Sequence, residues 1–478
     1  MRLIASLLLL FSLMSKAKEN NPNILFIYLD DFGWKDTGYA GSDFYETPNI
    51  DDLARGGMIF SNAYAGAANC APSRACLLSG QYSPRHKLFN VGTGPRGKAA
   101  FRRLIHIQGT NTLDPEIPTW AKAAKEAGYA TASIGKWHLC SDPTLHGFDL
   151  NVGGSRSGSP PKGYFPPHGK IKGLSKVDEN EYLTDTLTSK AIKFIEEKSN
   201  TPWLLYLTHF AVHTPIQAKE TDKKHFEKKP PGKLHQDKTM AAMIKSVDDG
   251  IGEIISTLNS LRIKQNTVII FYSDNGGYGP ATSMRPLKGY KGTYYEGGIR
   301  VPFFVNWPNI VRPGSECDTP ITAVDLYPTI CEITGGKIHK DHELDGVSLI
   351  PLLKGNKIRE RALYWHFPAY LQSYQRYNEQ PDPLFRARPC GVIRKGKWKL
   401  IEYFEDGRTE LFDLENDISE SKNLAKDRPG MASTLRSSLS EWRNQIKAPV
   451  PTEWNPKFDK EAEQRAIAEL LKRKRGKK

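Results

Sequence analysis

Short, almost unbroken apolar runs recur along the chain at residues 24–29, 130–134, 203–208, 267–272 and 302–306. Strands covered on both faces read this way, because neither side of the pleat meets water. The segments between them carry a different period. Residues 118–127 read as a helix stopped by Gly128, and residues 182–196 and 241–258 repeat apolar positions every three or four residues. In the last of these, Ile244, Val247, Ile251, Ile254 and Leu258 share one face. Strands alternating with such helices predict an α/β fold, with a large, mostly parallel central sheet flanked by helices.

A second pattern begins late in the chain. Residues 391–403 and 409–414 read as antiparallel strands around the turn Glu405-Asp406-Gly407. A helix is expected at 431–444, with Leu435, Leu439 and Trp442 on one face and Pro449 and Pro451 beyond its end. A charged, exposed helix follows at 459–474. These elements predict a smaller C-terminal α+β domain with an antiparallel sheet. The expected division is a leader at 1–17, a large unit at 22–374 and a C-terminal subdomain at 375–478 with a basic tail. No internal repeat is visible.

The leader changes the expected compartment. Arg2, an apolar run at 3–13, and small residues at Ser15 and Ala17 match a secretory signal cleaved after Ala17. The run is too short to span a bilayer, and no other apolar stretch reaches about 20 residues. A periplasmic or secreted protein without an integral membrane segment after cleavage is expected. No cysteine lies near the cleavage point for lipid attachment.

Composition is ordinary for a globular protein, at 39% hydrophobic and 25% charged residues. The formal charge is +14, part of it in the tail 472–478. Export and the lack of a recognition module argue against nucleic acid as a partner. The remaining positive charge suits an anionic polymer, whose local concentration it raises. Six cysteines stand at 70, 76, 140, 317, 331 and 390, without zinc-ligand spacing. In an exported chain Cys317 could pair with Cys331.

Candidate chemistry gathers at the ends of the apolar runs. The first ends in Asp30-Asp31, and the run at 267–272 ends in Ser273-Asp274-Asn275-Gly276-Gly277. Three carboxylates and an amide form an all-oxygen set that favours a hard cation such as calcium. Open α/β sheets place ligands at that edge. Each acidic pair, taken alone, fits a turn or helix cap equally well.

Next comes Cys70-Ala71-Pro72-Ser73-Arg74. Here the chain resembles the formylglycine-dependent sulfatase family of the alkaline phosphatase superfamily, in which Cys-x-Pro-Ser-Arg is a maturation signal. The resemblance extends over nearly the whole chain after the leader, and it makes 22–374 the catalytic domain. It implies a partner, a formylglycine-generating enzyme, that converts Cys70 to an aldehyde, which hydrates to a geminal diol. One hydroxyl attacks sulfur and displaces the alcohol; the other loses its proton and the hemiacetal expels sulfate, splitting one hard step into two. The expected metal set is Asp30, Asp31, Cys70, Asp274 and Asn275 around Ca2+.

The same resemblance assigns further roles. In Gly135-Lys136-Trp137-His138, Lys136 clamps a sulfate oxygen and His138 bonds the formylglycine hydroxyl; Cys140 stands where the family has glycine. His213, in His213-Thr214-Pro215, is the expected general acid, with His209 as the alternative. In the loop 285–302, Lys288 is expected on the sulfate, Lys291 and Glu296 organise the loop, and Arg300 pairs internally. Arg74 is expected beside Cys70, its guanidinium offering a fixed fork of donors.

The expected substrate is a sulfated carbohydrate, galactose-based, from a polysaccharide or its oligosaccharides, with His86, His366 and Arg388 as candidate sugar contacts. The chain resembles bacterial polysaccharide sulfatases more than the steroid type with its hydrophobic hairpin. Two alternatives remain open. One is a phosphomonoester, phosphodiester or phosphonate hydrolase of the same superfamily, which a Ser or Thr in place of Cys70 would favour. The other is a non-catalytic sulfoglycan-binding protein, which the loss of a chemical residue would favour.

Overall fold

The computed structural model describes residues 21–174, 181–374 and 380–475. The leader at 1–17 and the last three residues of the basic tail lie outside them. The central sheet has eight strands: β1 (Asn23–Leu29), β2 (Met58–Phe60), β3 (Ala130–Gly135), β4 (Leu150–Val152), β5 (Trp203–Thr208), β6 (Thr267–Ser273), β7 (Phe303–Asn306) and β8 (Ser315–Cys317). Their spatial order is β4-β3-β5-β1-β6-β7-β2-β8. The five strands from β4 to β6 are mutually parallel, and β7 pairs antiparallel with both β6 and β2. The run at 302–306 is thus a strand, as expected, but a reversed one.

Every residue of β1, β5 and β6 is buried, which explains why these strands read as continuous apolar runs. The pleat divides them between two cores. Ile24, Phe26 and Tyr28 meet Leu77, Leu78 and Trp120 on one face. Leu25, Ile27 and Leu29 meet Met243, Val247 and Ile251 on the other. Helices Cys70–Ser79, Trp120–Glu126 and Leu326–Thr334 cover the first face; Pro48–Arg55, Leu183–Glu197 and Lys238–Ser260 cover the second. The Lys238–Ser260 helix starts where the Asp237 carboxylate accepts the Thr239 and Met240 amides, satisfying donors that no helical carbonyl can reach.

The second sheet runs β9 (Ala362–Phe367), β10 (Cys390–Lys395), β11 (Trp398–Tyr403) and β12 (Thr409–Asp413), antiparallel throughout. Its first strand precedes residue 375, so this sheet draws on the segment assigned from sequence to the larger unit. The run at 391–403 is two strands, because Gly396 takes φ 53° and reverses the chain between them. Helix Pro429–Gln445 packs Leu435, Leu439 and Trp442 against β10 and β11. Helix Lys460–Arg475 is not wholly exposed: Ala466, Ile467 and Leu470 pack on Tyr370, Leu384 and Phe385. All six cysteines are free thiols; Cys317 sits in β8 and Cys331 in the Leu326–Thr334 helix, so the pairing conceivable from sequence does not form.

A buried ion cluster ties the second sheet to the short helical turn Glu296–Ile299. Lys399 on β11 lies 2.9 Å from both Glu296 and Glu420, and all three side chains are fully buried. Tyr64 donates its hydroxyl to Glu296 at 2.6 Å. Removing one partner of such a cluster leaves uncompensated charge. Lys399→Met should therefore cost about 3–5 kcal/mol of stability, measured as a lower urea midpoint; an unchanged midpoint would show that the two carboxylates do not depend on the lysine.

Candidate active site

Asp30-Asp31 follows β1, Lys136 and His138 follow β3, His213 follows β5, and Asp274-Asn275 follows β6. Parallel strands all end at one edge, so four distant sequence segments converge there. Cys70 joins them as the first residue of the Cys70–Ser79 helix, whose ten residues are all buried. An N-terminal helix end carries partial positive charge, which suits a group that becomes anionic.

Three buried carboxylates face three buried cations. Lys136 Nζ donates to Asp30 Oδ2 at 2.5 Å, and Lys291 Nζ to Asp31 Oδ2 at 2.6 Å. Arg74 donates Nε to Asp274 Oδ2 at 2.9 Å, with Nη2 at the same distance. Its Nη1 goes to the Lys136 carbonyl and the Thr208 hydroxyl. Asn275 Nδ2 donates to Asp31 Oδ1 at 2.8 Å. Asp31 and His138 both hold left-handed backbone, at φ 58° and 67°. Such strain in residues with a Cβ concentrates where a side chain must be aimed.

The carboxylates do not titrate alike. Burial raises Asp30 to about 6 against the pull of Lys136. Burial, reinforced by Asp30, likewise raises Asp274 to about 6. Burial would also raise Asp31, but the Lys291 ammonium outweighs it and holds the carboxyl well below its usual range. His213 is lowered to about 3, by burial first and then by Lys291 and Lys136. Its Nδ1 donates to the Thr214 carbonyl at 2.8 Å, leaving Nε2 toward Asp31 at 3.8 Å. Burial and then Lys136 hold His138 well below its usual value.

Two buried acceptors in this cluster, Asp30 Oδ1 and Asn275 Oδ1, have no hydrogen-bond donor. Buried acceptors without donors are costly, and oxygens of this kind are what a hard cation takes. Asp30, Cys70 and Asp274 each offer a ligand atom within 4.8 Å of one another, and so do Asp30, Asp31 and His213. The residues present fit a divalent cation.

A pocket of 410 Å³ opens above them, lined by Asp31, Cys70, His138, His213 and Lys291 at its floor and by Arg96, Tyr278, Tyr374 and Arg386 at its wall. Lys291 enters the floor and Lys288 does not. Lys288 lies over the Tyr295 ring at 4.0 Å and donates to the Glu420 carbonyl at 3.3 Å. The chain turns between them at Gly289, at φ 80°, and just beyond Lys291 Gly292, at φ 91°, gives its amide to the Ala68 carbonyl near Cys70. A Cβ there would stand 2.6 Å from Leu371.

The three sugar contacts expected from sequence stand away from this pocket's lining. His86 is buried; its Nδ1 accepts the Leu88 amide and its Nε2 faces the Cys76 thiol at 3.4 Å. His366 points Nε2 at the Pro449 carbonyl at 2.8 Å. Arg388 is bound by Asp382, Glu405 and Glu463. His209 is fully buried, with neither ring nitrogen bonded. Glu296 and Arg300 do pair, at 3.3 Å. Nothing in the local pattern of Arg96, Tyr278 and Tyr374 marks them as wall residues; in Arg386-Ala387-Arg388, which the sequence offers as a sugar-binding segment near the domain junction, it is Arg386 rather than Arg388 that lines the pocket.

The sulfatase family model matches residues 22–336, and the model of the N-sulphoglucosamine sulphohydrolase C-terminal region matches residues 290–446. A sulfatase of Formosa agariphila is 31% identical over 94% of this chain and 93% of its own length. The human steryl-sulfatase is 27% identical over 80% of this chain and 78% of its own. A crystal structure of Ps i-CgsB in complex with k-i-k-neocarrahexaose has 30% identity and a TM-score of 0.74, covering 94% of this chain and 98% of that one. A match that takes in both acidic pairs and the Cys70 motif, with a relative aligned over nearly the full length, means that the chain belongs to the sulfatase family.

Proposed function

We propose that this protein hydrolyses sulfate esters on a carbohydrate, a sulfated galactose-based polysaccharide or its oligosaccharides, with Cys70 matured to formylglycine. The observation that carries this reading is the placement of Cys70 on the pocket floor between Lys291, His138 and His213, beside carboxylate and amide oxygens without donors. The similar structure solved in complex with k-i-k-neocarrahexaose supports a glycan over a sterol. Among the described residues no helix is long and apolar enough to cross a membrane. Residues 1–17 would direct export, and a formylglycine-generating enzyme is the maturation partner.

Asp30, Asp31, Asp274, Asn275 and the matured residue 70 would hold Ca2+. When bound, such a cation screens sulfate charge and makes a coordinated hydroxyl more acidic. The hydrated aldehyde supplies the nucleophilic hydroxyl. The chain's own groups do the rest. Lys291, on the pocket floor, brings positive charge to the sulfate oxygens, and Lys136 adds to that field from beneath the floor, where it is bound to Asp30. Arg74 fixes the Asp274 carboxylate and, through the Lys136 carbonyl, the start of the loop that carries His138.

His213 is neutral in the free protein, with Nδ1–H given to Thr214 and Nε2 open to the pocket. An entering sulfate anion raises its proton affinity, so Nε2 can carry the proton that the leaving alkoxide needs. His138 shares the pocket floor with His213 and Cys70, its backbone left-handed at φ 67°.

Ion chromatography of sulfate released from defined sulfated oligosaccharides tests the whole reading, with protein co-produced with a formylglycine-generating enzyme. Release from one sugar at one position is expected; silence across the panel with residue 70 converted, as read by mass spectrometry, would overturn it. Cys70→Ala should reduce turnover below detection while the circular dichroism spectrum stays the same, and an unchanged rate would sink the role of residue 70. Chelation should lower both activity and melting temperature, and elemental analysis finding zinc alone at full occupancy would overturn the calcium assignment. His213→Asn should slow hydrolysis of sugar sulfates by about 10²–10⁴-fold and of nitrophenyl sulfate far less, since nitrophenolate leaves without a proton. Equal losses on the two substrates would remove His213 from the acid role.

A further inference from the structure

The wall of the catalytic pocket holds two guanidinium groups that the reaction described above does not use. Arg96 and Arg386 both line it, and both are half-buried. Among the described residues neither has a carboxylate within ion-pair distance. Arg388, two positions from Arg386, meets three carboxylates. The contrast matters, because half-buried cations that serve the fold alone are ordinarily neutralised by it.

One residue holds both groups. Arg96 donates Nε to the Gln372 side-chain Oε1 at 3.0 Å, and Arg386 donates Nε to the Gln372 backbone oxygen at 2.9 Å. Arg386 also lies flat on the Tyr374 ring, 3.9 Å from its centroid, while Arg96 Nη1 rests on the Val91 carbonyl at 3.3 Å. Both forks are thereby fixed with other donors left over. The two are close enough for Arg386, after burial, to make the protonation of Arg96 less favourable. Arg386 further touches the Lys291 carbonyl at 3.5 Å, which places the pair next to the sulfate-facing floor. It lines a neighbouring cavity of 220 Å³ as well, so it stands on the partition between the two.

We infer that Arg96 and Arg386 form a second anion subsite, which takes a sulfate on the glycan other than the one being cleaved. This rests on the sulfatase reading and deepens it: the enzyme prefers a multiply sulfated oligosaccharide over one carrying only the scissile group. Two preorganised guanidinium forks match an oxyanion geometrically, and neither has to break an ion pair to meet it. A singly sulfated chain would leave both cations facing an uncharged ring.

Non-hydrolysable sulfonates test the subsite without turnover. Calcium-loaded, matured protein is titrated calorimetrically with α,ω-alkanedisulfonates of increasing length and with the monosulfonates of the same chain lengths. At the spacing that bridges floor and wall, the disulfonate should bind about 10- to 100-fold more tightly than its monosulfonate. Arg96→Gln with Arg386→Gln should bring that ratio close to one, and Arg96→Lys or Arg386→Lys alone should give intermediate ratios. Melting curves confirm that each variant is folded, and the single lysine variants decide the matter if the double variant is not. Ratios near one at every length in the wild type, or an undiminished ratio in the variants, would overturn the subsite. Sulfate release from oligosaccharides is measured separately. Selective disulfonate binding without release would sink the hydrolase reading, whereas release without selectivity would sink the subsite.

Discussion

Charge burial organises this molecule more than any single contact. Asp30, Asp31 and Asp274 are all fully buried at the ends of parallel strands, where an isolated carboxylate would neutralise itself by taking up a proton. Each is instead met by one cation from elsewhere in the chain: Lys136 after β3, Lys291 from the loop before β7, and Arg74 from the Cys70–Ser79 helix. Those three contacts lock the helix, the loop and the sheet edge into one register. The catalytic geometry follows from the same requirement. Residue 70 sits on the floor of the pocket because Arg74, one turn along its helix, is held by Asp274.

The compensation is incomplete in one direction, and that is what makes the cluster chemical as well as structural. Asp31 is held ionised, while burial lifts Asp30 and Asp274 toward neutral pH. Oxygens of Asp30 and Asn275 are left without donors. The other buried ion cluster, of Glu296, Lys399 and Glu420 with Arg300, lines no part of the pocket. The strand-end cluster lies directly beneath a pocket, to whose lining it gives Asp31 and Lys291. The C-terminal sheet contributes by position. Beside it, Leu371, Tyr374 and Arg386 line the pocket and form its wall.

Much of this architecture is legible in the order of residues. Strands buried on both faces must be apolar without interruption, so β1, β5 and β6 announce themselves, and the chemistry follows each within a few residues because parallel strands end together. The Cys70 motif and the acidic pairs are local signals of this kind, and the sequence alone also sets the helix faces of 238–260 and 429–445. Where the local pattern failed, a contact distant in sequence decided the outcome. The strand at 303–306 is apolar whichever way it runs, and its reversal is set by its neighbours. Lys288 and Lys291 have the same residue type and nearly the same surroundings in sequence, yet across the left-handed Gly289 one goes onto Tyr295 and the other to Asp31. Arg386 and Arg388 divide in the same way, since carboxylates from three separate segments claim the second and leave the first. The sequence determined which elements form and which residues can do chemistry, because those depend on period and residue type; the tertiary structure decided which of several equivalent cations and histidines reach the pocket, because that depends on partners that the chain brings together only when it folds.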